Sequence, residues 1–442
     1  LKSAASQLNY IGKRAGMLGL SIYLLIDEYD NFTNTILSSE GNNVYRALTH
    51  DSGFYRGFFN IVKAITTGPE APVKRMFITG VSPVTLDDVT SGFNIGTNIT
   101  TDEQFNSMVG FSGSELQEML SYYESEGMLV NSKEELVRLM KPWYDNYCFA
   151  RKSLDDDRVF NCDMTLYYLR WQVDFHRAPE EMVDKNIRTD YSKLKMLARI
   201  DRDSVQEGDR MSTIEKIAAE GDIFVDLHTS FPAERITDID NFRSLLYYYG
   251  LLTMCGTRGD LIKMSIPNNC VREQYFGFLR DYYQKYSSID LHYLNVMLTD
   301  MAYDGRWKPF FESVAQAYRE NSAVRDAMEG ERNLQGFLKA YLALASYYLV
   351  EPELEMNYGY CDFFLLPDKK RYPDVKHSYI LELKYATRTA TDAELEVQAL
   401  EGRNQLLQYS EDKIVRCLSE GTTLHRLLLQ FRGWDLVRCE EV

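Results

Sequence analysis

The sequence predicts an α/β protein in three successive parts, at residues 1–148, 149–321 and 322–442. Near the N-terminus, residues 21–26 form an apolar run with the composition of a buried strand. Near the C-terminus, two strand-like runs are separated by a polar turn that contains prolines. Segments of helical period fill most of the remainder, and 442 residues suffice for two or three domains with sizeable cores.

Composition and charge narrow the class of protein. Hydrophobic residues make up 45% and charged residues 26% of the chain, as in ordinary globular proteins. The net charge of −16 argues against a generally basic surface that coats nucleic acid, although local patches remain open. The seven cysteines show no CxxC or zinc spacing, which favours a reducing cytoplasm. No apolar run reaches eighteen residues, so no membrane partner is expected.

The first informative stretch is the strand at residues 21–26, which ends in Asp27 and Glu28. This is the form of a Walker B motif, in which the Asp holds the water shell of magnesium and the Glu polarises the hydrolytic water. Capping of the following helix is the structural alternative. Residues 73–78 form the next strand, and Thr79 places a hydroxyl at its end.

The middle of the chain is rich in helical patterns. Residues 244–276 predict a small winged-helix-like unit, with a helix followed by a hairpin at residues 256–266. Few basic residues line this unit, so a packing role is favoured over the reading of DNA.

The C-terminal part carries the strongest indication of chemistry. Two strands, at residues 360–366 and 378–385, hold Asp362 on the first and Glu382 with Lys384 on the second. Residues two apart lie on the same face of a strand, and unpaired charge inside an apolar strand is costly. A divalent cation between Asp362 and Glu382 resolves the repulsion, and carboxylates suit Mg²⁺ or Mn²⁺. A hairpin with a solvated charged face is the alternative.

Helical patterns flank this hairpin. A helix of 3.6-residue period starts after Gly330 and opens with Glu331, where an acid is also favoured by the helix dipole alone. Residues 390–413 predict a second helix, on which Gln405 and Tyr409 share one face. Residues 424–431 predict a further apolar strand.

These C-terminal residues resemble the PD-(D/E)xK nuclease superfamily, and more narrowly the nuclease domain of bacterial proteins that begin with an AAA-ATPase-like domain. The order of the family pattern is matched by six residues: Glu353, Glu355, Gly359, Asp362, Glu382 and Lys384. Tyr360 stands where the family usually has an Arg, and Asn357 stands where a second glycine is common. These departures change the turn and remove the Arg that would contact a phosphate, but they leave the metal ligands in place.

The resemblance implies a restriction-endonuclease-like α/β domain at residues 322–442 that hydrolyses phosphodiester bonds. It implies that Asp362 and Glu382 bind Mg²⁺ or Mn²⁺ and that Lys384 assists the nucleophile. The supporting residues would be Glu331, Glu355, Gln405 and Tyr409, the last two matching the QxxxY motif of related helicase-associated exonucleases. Pro373-Asp374 also spells the letters "PD", but it lies in the turn between the strands, and Asp362 is therefore preferred.

The N-terminal part resembles the AAA-ATPase-like family over residues 78–116 and again at residues 143–147, where Asn146 replaces a glycine. Asn tolerates positive φ, so the turn should survive. The resemblance implies a truncated AAA-like P-loop core at residues 1–148, a parallel sheet with helices, followed by a helical, winged-helix-like lid at residues 149–321. Asp27 and Glu28 would serve bound nucleotide, with Thr79 as the sensor.

The phosphate cradle of such a core is missing from the sequence. No GxxxxGK[ST] occurs, and the chain opens on Leu1 without a methionine, so we expect a fragment of a longer protein. ATP is expected as a ligand only if an upstream P-loop is present, and no ATP hydrolysis is expected from this chain.

The sequence thus predicts a metal-dependent nuclease fused to an AAA-ATPase-like regulatory domain. DNA is the favoured substrate. The alternative is a non-catalytic, nucleotide-gated regulatory or binding protein whose nuclease fold is a relic. An NTP-driven remodeller is a third hypothesis that depends on the missing P-loop. Homo-oligomerisation, strandedness and sequence preference stay open.

Overall fold

The computed structural model describes residues 3–32, 42–50, 53–83, 96–156, 158–184, 194, 197–198, 207–232, 235–236, 238–284, 289–320, 330–344, 347–356, 359–369 and 371–442. For some of these, including residues 349–356 and 359–360, only the backbone is described. The chain divides into two compact units. Unit 1 comprises Leu1–Met211 and Asp222–Val271, and unit 2 comprises Ser212–Gly221 and Arg272–Val442.

Helices and strands alternate in the N-terminal half of the chain. In order they are α1 (Ala4–Met17), β1 (Ile22–Ile26), α2 (Asn42–Thr49), α3 (Phe54–Thr66), β2 (Val73–Ile78), β3 (Phe111–Ser112), α4 (Gly113–Ser125), α5 (Lys133–Tyr144), β4 (Val159–Phe160), α6 (Cys162–Phe175), α7 (Glu207–Glu220), β5 (Asp222–Val225), α8 (Ile239–Tyr248), β6 (Thr253–Arg258) and β7 (Leu261–Ser265).

Two small sheets of unit 1 agree with the sequence patterns. Strands β1 and β2 form at the predicted places and pair in parallel, with Ile26 beside Ile78, so their carboxyl ends lie at one edge. Strands β6 and β7 form the predicted hairpin, which begins three residues earlier than expected because Thr253 pairs with Ser265. Strand β5 adds to this hairpin on the β7 side. Residues 84–95 of the AAA-like resemblance lie outside the described residues.

The C-terminal half carries helices before a larger sheet. In order the elements are α9 (Asn269–Gln284), α10 (Leu291–Asp304), α11 (Lys308–Glu320), α12 (Glu331–Leu342), β8 (Tyr348–Met356), β9 (Gly359–Pro367), β10 (His377–Ala386), α13 (Asp392–Glu411), α14 (Lys413–Leu418), β11 (Thr423–Arg432) and β12 (Asp435–Glu441). The predicted strands therefore form as β9, β10 and β11, and both predicted helices form as α12 and α13.

The five strands of this sheet lie in the order β12-β11-β10-β9-β8. Strands β10 and β11 are parallel, with α13 and α14 between them in the chain, and the other neighbours are antiparallel. The sequence did not identify β8, which carries Pro352 and several acids instead of an apolar alternation. Because β8 is an edge strand, it tolerates a proline that lacks a backbone donor.

Helices cover both faces of the sheet. On one face, Ile380 and Leu428 pack with Leu406 and Tyr409 of α13. On the other, the Tyr379 hydroxyl donates to the Met301 carbonyl of α10 at 2.6 Å. Successive residues of a strand point to opposite faces, so the even-numbered residues of β10 face α13. Glu382 and Lys384 belong to that set.

Helix α13 begins later and ends earlier than the sequence pattern predicts. At its start, Thr391 and Glu394 form a capping box, in which the Glu394 carboxylate accepts the Thr391 N–H at 2.7 Å. At its end, Asp412 has extended backbone and caps the start of α14 through the Ile414 N–H. Capping at both ends thus fixes bounds that periodicity alone does not give.

Candidate functional site

The site begins where strands β9 and β10 separate. Among the described residues, their backbone pairing runs from Tyr379 with Leu365 to Leu381 with Phe363. Beyond this point the Leu383 N–H donates to the Asp362 carboxylate at 2.7 Å instead of to a backbone carbonyl. The side chain of Asp362 therefore replaces a ladder hydrogen bond and fixes its own position beside Glu382.

Glu382 and Lys384 form a buried ion pair next to Asp362. The Lys384 Nζ lies 2.8 Å from Glu382 Oε1, and the two side chains are only 18% and 4% exposed, respectively. The second oxygen, Glu382 Oε2, is buried and has no hydrogen-bond partner among the described residues. A buried carboxylate oxygen without a donor is costly, so this atom indicates a missing cation or donor.

The electrostatics of the carboxylates support the same conclusion. Burial and then the charge of Asp362 raise the pKa of Glu382 to about 7, while Lys384 lowers it. Glu331 keeps access to solvent at the start of α12, yet desolvation by its surroundings and the charge of Asp362 raise its pKa. Carboxylates that disfavour one another's ionised form are stabilised by a cation.

A magnesium-like ion suits these donors. Within the described part of the chain, no group of three or more His, Cys, Asp and Glu side chains is arranged to hold a metal. The fit therefore rests on two carboxylates, Asp362 and Glu382, and Mg²⁺ commonly takes one or two carboxylates and keeps several waters. Glu382 Oε2, which has no partner in the described ranges, is the atom that such an ion would satisfy.

Helix α12 contributes a residue that the sequence patterns missed. Gln335 lies one turn after Glu331, and its Nε2 donates to Asp362 Oδ1 at 3.0 Å. Asp362 is thus held through both oxygens, by a backbone N–H and by this amide. The i, i+4 spacing from Glu331 is the one signal that could have identified Gln335.

Helix α13 supplies Gln405 and Tyr409 to the opposite side of the site. The Gln405 amide donates to the Tyr409 hydroxyl at 3.4 Å, so the two side chains do share a face. Burial raises the pKa of Tyr409, and the charge of Glu382 raises it further. Gln405 Oε1 is buried without a hydrogen-bond partner among the described residues, a second acceptor that lacks a donor.

Gly402 permits the close approach of α13 to strand β10, which carries Glu382 and Lys384. A Cβ at this position would lie 2.7 Å from Leu428 Cδ1, 3.4 Å from Lys384 Cε and 3.6 Å from Glu382 Cγ. Only a residue without a side chain fits this contact without displacing its neighbours. Sequence analysis missed Gly402, because a lone glycine inside a helical pattern has no distinguishing signal.

Asp374 lies in the turn, as the sequence predicts, whereas Glu355 and Tyr360 are described only through their backbone. Asp374 is exposed in the turn between β9 and β10. Desolvation raises the pKa of Tyr303, and the charge of Asp374 adds to this increase. Glu355 lies on β8 opposite Tyr360, but the side chains of both residues lie outside the described part of the structure. Their contributions to the site stay predictions.

The second candidate site lies at the carboxyl ends of β1 and β2 in unit 1. The Thr79 hydroxyl donates to the Asp27 carboxylate, and the Glu28 N–H donates to the same hydroxyl at 3.4 Å. Glu28 has φ of 48° and accepts from the Asn31 amide at 2.9 Å. The structure thus brings the three predicted residues together at one sheet edge.

A neighbouring acid at this edge was not singled out from the sequence. Asp30 is buried, and its carboxylate accepts the backbone N–H groups of Ser82 at 2.6 Å and Val81 at 3.1 Å. A Cβ on Gly80 would lie 2.2 Å from the Tyr29 ring, so a glycine is needed where these chains cross. Asp30 therefore fixes the segment that follows Thr79.

The turn at residues 143–147 has the predicted backbone. Asn146 adopts φ of 85°, which confirms the expectation that it replaces a glycine in a left-handed conformation. Its side chain donates to the Pro267 carbonyl at 2.9 Å. The asparagine therefore keeps the turn and adds a contact that glycine cannot make.

Comparison with known proteins identifies both ends of the chain. Residues 329–441 match the family model of the PD-(D/E)XK nuclease superfamily. Residues 2–90 match a family model described as a predicted AAA-ATPase. No curated protein matches the chain. In the part of the chain that the structure describes, no helix combines the length and apolar character needed to span a membrane.

Proposed function

We propose that the C-terminal domain is a metal-dependent nuclease that hydrolyses phosphodiester bonds in nucleic acid, with DNA as the favoured substrate. The observation that carries this proposal is the convergence of Asp362, Glu382 and Lys384 at the point where β9 and β10 separate. Glu382 Oε2 is buried there and has no partner within the described part of the chain. The match to the PD-(D/E)XK superfamily supports the same reaction class.

Asp362 and Glu382 would hold a divalent cation, Mg²⁺ or Mn²⁺, which supplies Lewis-acid polarisation of a phosphate oxygen. Asp362 is held in place by Gln335 and by the Leu383 N–H. Lys384 brings a positive charge that neutralises a phosphate in the transition state or orients the attacking water. Gln405 Oε1 has no donor among the residues with described side chains and is suited to accept a hydrogen bond from that water.

The N-terminal region is AAA-ATPase-like, and we propose that it regulates the nuclease domain. Asp27, Glu28 and Thr79 would act on nucleotide only together with a phosphate cradle. The 442 residues contain no GxxxxGK[ST], so ATP as a ligand depends on a P-loop outside this sequence.

Cleavage of supercoiled plasmid and of single-stranded DNA tests the nuclease proposal. The purified protein should cut at least one substrate in Mg²⁺ or Mn²⁺ and neither in EDTA. Saturating Mg²⁺ should also stabilise the fold by about 2–3 kcal/mol, because it relieves repulsion between the carboxylates. Protein that cuts nothing and does not melt differently in Mg²⁺ would instead support a non-catalytic binding platform, which the net charge of −16 and Tyr360 favour.

We expect Gln335 to affect metal binding and cleavage through its hydrogen bond to Asp362. Replacing Gln335 with alanine removes an amide donor to the Asp362 carboxylate, and the loss of such outer partners commonly costs about 10–100-fold in activity or metal affinity. We expect a higher Mg²⁺ concentration for half-maximal cleavage, measured by metal titration. Gln316→Ala on α11 is the matched control, since the Gln316 amide donates to the Glu320 carboxylate of its own helix. Equal metal requirements in both variants would refute the role of Gln335.

A further inference from the structure

The turn that follows β10 carries an arginine that lies over an aromatic ring. Residues 387–391 connect β10 to α13, and Arg388 is exposed within this turn. The Arg388 Cζ lies 3.0 Å from the ring centroid of Trp434. A cation over an indole face is attracted by the ring, which restricts the otherwise mobile guanidinium.

The sheet brings these distant residues together. Strands β10 and β11 are parallel, and Ala386 at the end of β10 pairs with Arg432 at the end of β11. The Gly433 N–H then donates to the Ala386 carbonyl at 2.8 Å. Arg388 and Trp434 each follow this pair by two residues, so the sheet register fixes their contact.

Gly433 leaves the space that the arginine occupies. Its φ is +60°, and a Cβ at this position would lie 2.5 Å from Arg388 Cγ. A side chain at this position would therefore displace the arginine stem, and most residues would also be strained in their backbone. The turn between β11 and β12 thus accommodates an arginine over the tryptophan.

This arginine lies close to the proposed cleavage site along the chain. Arg388 follows Lys384 by four residues, so their backbones are at most about 13 Å apart. Phosphates of one strand in duplex DNA recur about every 3.4 Å along the helix axis, so a bound strand carries more than one phosphate within this span. A substrate whose scissile phosphate lies at Lys384 therefore has other phosphates within reach of Arg388.

We propose that Arg388, held over Trp434, binds the phosphate backbone of the nucleic-acid strand beside the cleavage site. The proposal rests on the proposed nuclease function and adds a substrate-binding residue to it. Guanidinium groups bind phosphate through paired N–H donors, and phosphate contacts position a strand without reading its sequence. In a chain with a net charge of −16, local cations of this kind must supply the attraction to DNA.

The test is DNA binding and cleavage by the full chain with Arg388→Gln and Arg388→Lys. Binding of a labelled single-stranded and a labelled duplex oligonucleotide is measured in Ca²⁺ over a series of salt concentrations. We expect Arg388→Gln to weaken binding about tenfold. It should also lower the slope of log affinity against log salt by about 0.7–0.9, the loss of one phosphate contact. Arg388→Lys should retain most of the slope, because the charge remains.

Arg371→Gln is the matched control, because Arg371 also lies over an aromatic ring, that of Tyr372, at 5.6 Å. It belongs to the turn between β9 and β10, where β10 begins, whereas Arg388 follows the end of β10. This control should bind as wild type does. In cleavage, Arg388→Gln should raise KM and leave kcat nearly unchanged, since the contact is made equally in ground and transition states.

The outcomes separate this inference from the nuclease proposal. If the wild type cuts DNA and Arg388→Gln keeps its affinity and salt slope, the phosphate contact is refuted and the nuclease stands. If Arg371→Gln loses as much slope as Arg388→Gln, the effect is one of general charge and the assignment also fails. A wild type that neither binds nor cuts either oligonucleotide overturns both proposals.

Discussion

Alanine at Asp362, Glu382 or Lys384 is expected to lower the rate of DNA cleavage by at least about 10²–10³-fold, to near background. The reason is the geometry of the site. We assign two carboxylates, Asp362 and Glu382, as cation ligands. The Lys384 ammonium donates a hydrogen bond to Glu382 at 2.8 Å. Removing either carboxylate takes away a cation ligand, and removing Lys384 takes away the charge partner of Glu382, so each change disables the whole group.

Because these residues act as one unit, their losses should not add. The double variant Asp362→Ala with Lys384→Ala should cleave little more slowly than either single variant. Asp374→Ala should cleave as wild type does, since Asp374 is exposed in the turn. Initial rates on plasmid and single-stranded DNA in Mg²⁺ and Mn²⁺ measure these effects. Loss of activity in Asp374→Ala together with full activity in Asp362→Ala would show that we assigned the site to the wrong aspartate.

Melting curves provide a readout that is independent of cleavage. The wild type should gain stability in Mg²⁺, whereas Asp362→Ala and Glu382→Ala should gain little, because each has lost a ligand. An undiminished Mg²⁺ effect in both variants would mean that the cation binds elsewhere. Cleavage and melting together therefore distinguish a misplaced metal site from an inactive protein.

Glu215→Gln is expected to stabilise unit 2 in neutral and alkaline buffer. Glu215 is 5% exposed on α7, and its Oε1 accepts the Tyr283 hydroxyl at 3.0 Å. Burial raises the pKa of Glu215 from 4.5 to about 7, although the Tyr283 hydrogen bond lowers it. The gap between these values corresponds to at most about 3 kcal/mol of cost for the ionised form. Glutamine keeps an acceptor for Tyr283 and carries no charge.

The direction of the pH dependence follows from this gap. Between pH 4.5 and 7 the folded protein binds more protons at Glu215 than the unfolded chain does, so its stability falls as pH rises. The glutamine variant lacks this loss. Its advantage over wild type should be near zero at pH 4.5, grow through pH 7 and approach about 3 kcal/mol at pH 8.

Chemical denaturation at several pH values, in EDTA, measures this advantage. EDTA keeps divalent cations from changing the titration of Glu382, whose pKa is also raised to about 7 and which both proteins share. Glu401→Gln on α13 serves as the control, because Glu401 is exposed. An advantage of Glu215→Gln that does not vary with pH would show that the gain comes from packing and not from ionisation.

Local patterns in the sequence were sufficient for much of the fold. Alternation and apolar runs located β9, β10 and β11, and helical period located α12 and α13. The ends of these elements were less well predicted, because capping residues such as Thr391 and Asp412 decide them. Strand β8 was missed because its proline and acids resemble a loop until an adjacent strand pairs with it.

The residue types of the site were also readable from the sequence. Charge inside an apolar strand is costly, so Asp362, Glu382 and Lys384 stood out without a structure. The sequence also favoured Asp362 over Asp374, because one lies on a strand and the other in a turn. The left-handed backbone at Asn146 was expected because this residue stands in place of a family glycine and asparagine tolerates positive φ.

What the sequence determined by itself was therefore local: which segments are strands or helices, and which charges lie where charge is costly. Only the tertiary structure placed Gln335 against Asp362, Gly402 under Lys384 and Arg388 over Trp434. Each of these contacts joins residues from different elements. Periodicity reports the environment of one segment, whereas such contacts depend on sheet register and on how closely helices pack. That packing also buried Glu382 Oε2, which finds no donor among the residues that the structure describes and on which the proposed metal site rests.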